Sequence, residues 1–190
     1  MIARLAVMVL VVAMLNGCAS SRAPLQVART VAVLPTNNLT GDPLLVMGAG
    51  LIDRYVRRTG EVSVGDVLQS EARYQLQQKG FDVALWSEHA PKSLDAALAM
   101  ARQSGAKSNL LYLEIRRWEA DAPTQTRFVI VGLSASLLDP VSGREIWHED
   151  RAPAPVGTQG TISVEAAYVA AARKVIAEML KPLKPEPAAK

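Results

Sequence analysis

The sequence predicts an α/β protein of the α+β type: a mixed five-stranded sheet packed by about three helices, in the order β-α-β-α-β-β-β-α. Three observations predict it. Apolar or alternating runs take turns with segments of helical period up to about residue 105. Two strand-like runs, 126–138 and 144–151, are then separated only by Asp139-Pro140-Val141-Ser142-Gly143, which are turn residues. An alanine-rich segment of helical period closes the pattern before Pro182. Helical crossovers make the first strands parallel, and short turns make the later ones antiparallel.

The first strand is Thr30-Val31-Ala32-Val33-Leu34, a compact apolar run ended by Pro35. Asn37 to Pro43 is turn chemistry: side-chain amides, a glycine and an X-Pro step. Residues 44–62 carry no single period. Gly48 and Gly50 each weaken a helix by about 1 kcal/mol, and Tyr55 with Val56 suit an extended segment as well as a helical one. The stretch stays unassigned, as a loop with one helical turn or a short strand.

Val64, Val67, Leu68, Ala72 and Leu76 then recur at three and four residues, the stripe of an amphipathic helix over 64–79. Asp66 suits its first turn and Gly80 its stop. Phe81 to Trp86 alternates, as a strand does. Ser93 caps a second helix that ends near Gly105, with Leu94, Ala97, Leu98 and Ala101 inward. Asn109–Trp118 and Thr126–Leu138 are the third and fourth strands. Arg144–Arg151 is the fifth, and Ala152-Pro153-Ala154-Pro155 is expected to break its ladder. The last helix runs over 163–180 through Ala166, Val169, Ala172, Val175, Ile176 and Met179.

The start of the chain has a different character. Arg4 precedes Leu5–Leu15, an apolar run too short for a membrane span of about 20 residues and ordered like a signal-peptide core. The single cysteine, Cys18, follows at once. Leu15-Asn16-Gly17-Cys18 resembles the lipobox of bacterial lipoproteins. That resemblance implies cleavage between Gly17 and Cys18, a diacylglycerol on the thiol, and an acylated (palmitate-type) amine. Ala19 and Ser20, in place of the aspartate that retains such proteins at the inner membrane, imply the periplasmic face of the outer membrane. The expected layout is therefore a signal peptide over 1–17, a lipidated tether over 18–28, one domain over 29–180, and a disordered tail over 181–190. About nine residues between Cys18 and the first strand reach roughly 30 Å at full extension.

Val31-Ala32-Val33-Leu34-Pro35 with Asn38-Leu39-Thr40-Gly41-Asp42 resembles the opening strand and loop of the TolB amino-terminal domain and its CsgG-like relatives. Leu138-Asp139-Pro140-Val141-Ser142-Gly143-Arg144-Glu145-Ile146-Trp147 is similar to a later strand–turn–strand of the same group. Gly105-Ala106-Lys107 fits a third step, with Lys107 where the group has an acid. The group includes envelope lipoproteins and the LpoB-related activators of peptidoglycan synthases, so the resemblance implies this fold and an envelope setting. CsgG-type pores extend hairpins from such a core. Here the Asp139 turn has almost no extension, and strand 126–138 is apolar on both faces, against a pore strand's alternating polarity.

Chemistry is sparse. The formal charge is +3, and residues 1–17 hold Arg4 and no acid, so the remainder is close to neutral and no nucleic-acid partner is expected. His89 and His148 show no ligand spacing, and no nucleophile-elbow motif occurs, so no metal and no cofactor are expected. Gly48-Ala49-Gly50 lacks the lysine of a phosphate loop. Glu114 with Glu119, and Glu145 with Glu149, are the carboxylate pairs a hydrolase would need; glutamates set along a strand are read as its wet face. Candidate contact residues are Asn37, Asn38 and Asp42 in the first loop, the Arg54, Arg57 and Arg58 group, and the aromatics Trp86 and Trp118. Lys181, Lys184 and Lys190 are a basic tail that could meet anionic cell-wall material. The expected role is a non-catalytic, lipid-anchored binding or assembly module with an envelope protein partner or copies of itself. A peptidoglycan-synthase regulator and a carboxylate hydrolase are the alternatives.

Overall fold

The computed structural model describes residues 24–46, 62–84, 86, 89–103, 105–123, 125–158 and 161–187. Its elements are β1 (Leu25–Val27), β2 (Thr30–Val33), β3 (Asn37–Asn38), β4 (Leu45–Val46), β5 (Val62–Ser63), α1 (Val64–Gln78), β6 (Asp82–Ala84), α2 (Leu94–Gln103), β7 (Asn109–Ala120), β8 (Phe128–Asp139), β9 (Arg144–Gly157), α3 (Val164–Met179) and β10 (Leu183–Pro185). The main sheet has the order β6-β2-β7-β8-β9, and β3 also pairs with β7. β6, β2 and β7 run parallel, while β7, β8 and β9 form an antiparallel meander. This is the mixed α/β architecture expected from the sequence.

The helices begin where side chains can satisfy their free N–H groups. Ser63 Oγ accepts from the Asp66 N–H (3.1 Å) while Asp66 Oδ2 accepts from the Ser63 N–H (3.0 Å), a complete capping box. Ser93 Oγ accepts from the Ala96 N–H and Ser163 Oγ from the Ala166 N–H. The apolar stripes then decide the packing. Val64, Val67, Leu68, Ala72 and Leu76 of α1, and Val169, Ala172, Val175, Ile176 and Met179 of α3, are buried in one core with Leu111, Leu113, Ile115, Val131, Leu133 and Leu137 of the sheet. α2 covers the opposite face through Ala97 and Ala101, in a smaller core with Leu34, Leu110, Tyr112 and Leu138. Two helices on one face and a short one on the other leave half of the second face uncovered.

Two expectations are corrected, and one left open is filled in part. First, β9 does not stop at Arg151 but continues through Pro153 and Pro155 to Gly157. The Thr158 N–H donates to the Arg127 carbonyl, so by alternation the N–H groups of 156 and 154 face β8 and the N–H-less nitrogen of Pro155 faces outward, while Pro153 falls at the register shift opposite Gly132. β9 is the sheet edge, where a missing outward N–H costs no ladder bond. Gly132 of β8 makes room for it, because a Cβ there would lie 3.0 Å from the Pro153 ring and 3.3 Å from Arg117 Cβ.

Second, the expected tether and disordered tail meet. Leu25, Gln26 and Val27 pair in parallel with Leu183, Lys184 and Pro185. The Leu25 N–H donates to the Pro182 carbonyl and the Glu186 N–H to the Val27 carbonyl, while buried Val27 and Leu183 join the main core. Ordered chain therefore extends beyond 29–180 at both ends, because alternate residues of both segments have apolar surface to bury. Third, the ends of the unassigned stretch form an antiparallel pair, Leu45 with Ser63 and Val46 with Val62.

Candidate functional site

The first loop turns on its own asparagine. Asn38 Oδ1 accepts from the N–H and hydroxyl of Thr40 (3.0 and 2.8 Å), and Asn38 Nδ2 donates to the Asp42 carbonyl (2.7 Å). This is an Asx turn, closed by Gly41 at a φ of 82°. Asn38 thus spends its hydrogen bonds inside the loop. Asn37 points elsewhere: its Nδ2 donates to the Tyr112 hydroxyl (3.0 Å) and the Lys92 carbonyl (3.1 Å).

That contact opens a polar lattice on the uncovered half of the second face. Tyr112 donates to Glu114 Oε2 (3.0 Å), Arg116 bridges Glu114 Oε1 (3.3 Å) to Asp150 Oδ1 (2.7 Å), and Ser134 stands between Glu114 and Asp150 in the strand register. Ser136 stands between Tyr112 and His148 in the same way. Burial pushes the Tyr112 phenol up to about 12. Two residues on, a bulge at Arg116 shifts the register, so that Arg117 pairs with Glu119 on the same side and draws that carboxyl below its ordinary range.

The lattice includes a serine, a histidine and a glutamate in contact. Ser136 Oγ and Glu145 Oε1 each lie 3.1 Å from His148 Nδ1. A nucleophile relay needs its serine and carboxylate on opposite ring nitrogens; here both meet the same one. The cluster orders the edge strand instead. Both carboxylate pairs named from the sequence are divided as well. Glu114 is engaged by Tyr112 and Arg116, Glu119 by Arg117, and Glu145 by His148. Among the described residues no group of three His, Cys, Asp or Glu could hold a metal ion.

The tryptophans do not form one patch. Trp86 is half-buried against the α2 core, whereas Trp118 is buried in the main core on the other side of the sheet. Trp118 meets Tyr168 edge-on, with ring centroids 6.1 Å apart at 83°. Above them lies an open cleft of about 580 Å³ whose lining includes Asp42, Trp118, Glu119, Asp121 and Tyr168. Burial pushes the Tyr168 phenol up; the Ala120 N–H acts the other way, and the carboxylates of Asp42, Glu119 and Glu165 add to the rise. The structure thus brings Asp42 and Trp118 together, sets Asn37 and Trp86 on the other face, and keeps Asn38 within its turn. Arg54, Arg57 and Arg58, like Gly17 and Cys18, lie outside the described residues.

No family model and no curated protein matches the chain. Solved structures do. A dodecamer of PelC from Paraburkholderia phytofirmans is 20% identical and superposes with a TM-score of 0.55, covering 87% of this chain and 95% of that one. A dodecamer of a single-residue variant of the same protein gives 21%, 0.54, 86% and 95%. A DUF330 protein of Xanthomonas campestris is 17% identical at a TM-score of 0.48, over 84% of this chain and 86% of that one. At these identities the PelC likeness establishes a shared fold.

Proposed function

We propose that this chain is a lipid-anchored envelope protein of the periplasmic face of the outer membrane, and that it works without catalysis as an assembly module built from copies of itself. The observation that carries the reading is the short apolar run ending in Leu15-Asn16-Gly17-Cys18, with the chain's one cysteine at the end of it. Lipidation gives that thiol a reason to be single. The first strand starts at Leu25, so at most roughly 25 Å of extended chain would separate the domain from the bilayer. That span suits a module held against its membrane. It counts against a regulator that must reach through the cell wall.

Self-assembly is supported by the fold shared with a protein whose structures are dodecamers. The polar lattice supports a binding surface over an active site, because each acid it contains is already neutralised or hydrogen-bonded. Metabolic labelling with palmitate, followed by mass analysis of the intact protein, tests the anchor. Label is expected on the parent protein and absent from Cys18→Ala. Native mass spectrometry from detergent, with crosslinking in intact envelopes, tests the assembly. A species of one subunit, crosslinked chiefly to a different envelope protein, would overturn self-assembly and favour a regulatory role.

A further inference from the structure

Three lysines gather where the chain enters the domain. Leu25 hydrogen-bonds to the Pro182 carbonyl (2.9 Å), one residue from Lys181, and Gln26 stands opposite Lys184 in the β1–β10 pair. Lys79, just past the end of α1, reaches across with its Nζ to the Lys181 carbonyl (3.1 Å). Lys181 and Lys184 are exposed and Lys79 is half-buried. Burial holds the Lys79 ammonium below its ordinary pKa, and the charges of Lys184 and Lys181 lower it further, so the three ammonium groups share one electrostatic neighbourhood. Among the described residues no carboxylate forms an ion pair with any of them. Asp82 is taken by Arg29, and Glu186, two residues past Lys184, is exposed.

Like charges brought together at a cost mark a place where an anion is expected. The position says which anion. This end of the domain is the end to which the tether from Cys18 runs, and the span between them is at most roughly 25 Å. We propose that Lys79, Lys181 and Lys184 form a basic collar that docks the domain onto the phosphate headgroups of anionic lipid in the membrane holding its anchor. The inference rests on the lipid anchor proposed above and adds an orientation to it. The β1–β10 edge faces the bilayer, and the β3 end of the sheet, with Lys92, faces away. A collar of this kind gives a one-point anchor a second contact, which removes the domain's freedom to swivel on its lipid.

The test uses the processed, acylated chain in vesicles of phosphatidylethanolamine, with or without phosphatidylglycerol. A water-soluble amine-acylating reagent is applied, and each lysine's modification is read by mass spectrometry. A basic side chain near an anionic surface gains about 1 kcal/mol, which is about fivefold. Lys79, Lys181 and Lys184 are therefore expected to be modified about fivefold more slowly with phosphatidylglycerol, relative to Lys92. High salt should abolish the difference, and Lys181→Gln with Lys184→Gln should restore most of the reactivity of Lys79. Equal modification in both kinds of vesicle would overturn the collar. So would equal protection by inorganic phosphate without phosphatidylglycerol, which would reveal a site for a free anion. The same spectra report the acyl mass. An unacylated protein removes the anchor and the collar with it, whereas an acylated protein without lipid-dependent protection removes the collar alone.

Discussion

Gly143 should be the least replaceable residue of the β8–β9 turn, and its substitution should be felt in a helix 41 positions earlier. Its φ is 63°, in the left-handed region, where an L-residue costs about 1–2 kcal/mol relative to glycine. Arg102 of α2 lies over it. A Cβ on residue 143 would fall 2.2 Å from Arg102 Nε and 2.9 Å from Arg102 Cγ. The arginine can swing aside, but it then loses the hydrogen bond from Nη2 to the Gly143 carbonyl (2.8 Å). For a part-buried charged donor that loss is about 1 kcal/mol. Gly143→Ala is therefore expected to cost about 2–3 kcal/mol, and Arg102→Ala about 1 kcal/mol. In the double variant the arginine's share is already gone, so the two costs should not add, and a coupling of about 1 kcal/mol should remain. Urea denaturation of the four proteins at constant m-value measures it. A Gly143→Ala cost below about 0.5 kcal/mol, or strictly additive costs, would refute the packing of Arg102 on the turn.

Trp118→Ala should cost about 3–5 kcal/mol, as a fully buried indole does, and Trp86→Ala roughly half of that; comparable small losses for both would mean that neither packs in a core. No hydrogen bond is lost in either case, since both buried indole N–H groups lack partners among the described residues. The Tyr112 phenol titrates near 12 in the fold and near 10 in the unfolded chain. Its contribution is complete below pH 10 and is lost as pH rises from there towards 12, up to about 3 kcal/mol; Tyr112→Phe should flatten that alkaline decline in denaturation curves taken from pH 8 upward. Pro153→Thr combined with Pro155→Thr returns N–H groups to the edge strand β9, that of 155 facing outward, and light scattering should then show larger, concentration-dependent species than the parent protein forms. No change in association would show that the prolines do not guard that edge.

What could be read from the sequence was whatever repeats with a period. The stripes of α1 and α3 named their buried residues almost without error, since burial on one side of a helix writes itself every three or four positions. The capping Ser93 and the Asp139–Gly143 turn were legible for the same local reason. Contacts between distant residues were not. Nothing local to Leu25–Val27 shows that Leu183–Pro185 will lie beside it, since three-residue strands carry almost no pattern. Pro153 and Pro155 read as a break because a proline's meaning depends on which side of the strand its missing N–H faces, and that is set by β8. The site was the least legible part. Tyr112, Glu114, Ser134, Ser136, His148 and Asp150 each occupy an alternate position on their own strand, a signal visible in principle, but the lattice exists only once the register places them in rows. The two tryptophans stood together as candidate contacts because sequence does not record that Trp118, on β7, and Trp86, beyond the end of β6, join cores on opposite sides of the sheet.

The meeting of β1 with β10 ties the beginning of the domain to its end. Any tension arriving through a lipid at Cys18 would enter at Leu25 and be resisted by a parallel pair only three residues long, backed by Val27 and Leu183 in the interior. The hold on such a lipid would then depend on Leu183–Pro185, more than 150 residues further along the chain. Removing the chain after Leu180 would leave Leu25–Val27 without its strand partner and the entry to the fold unsupported.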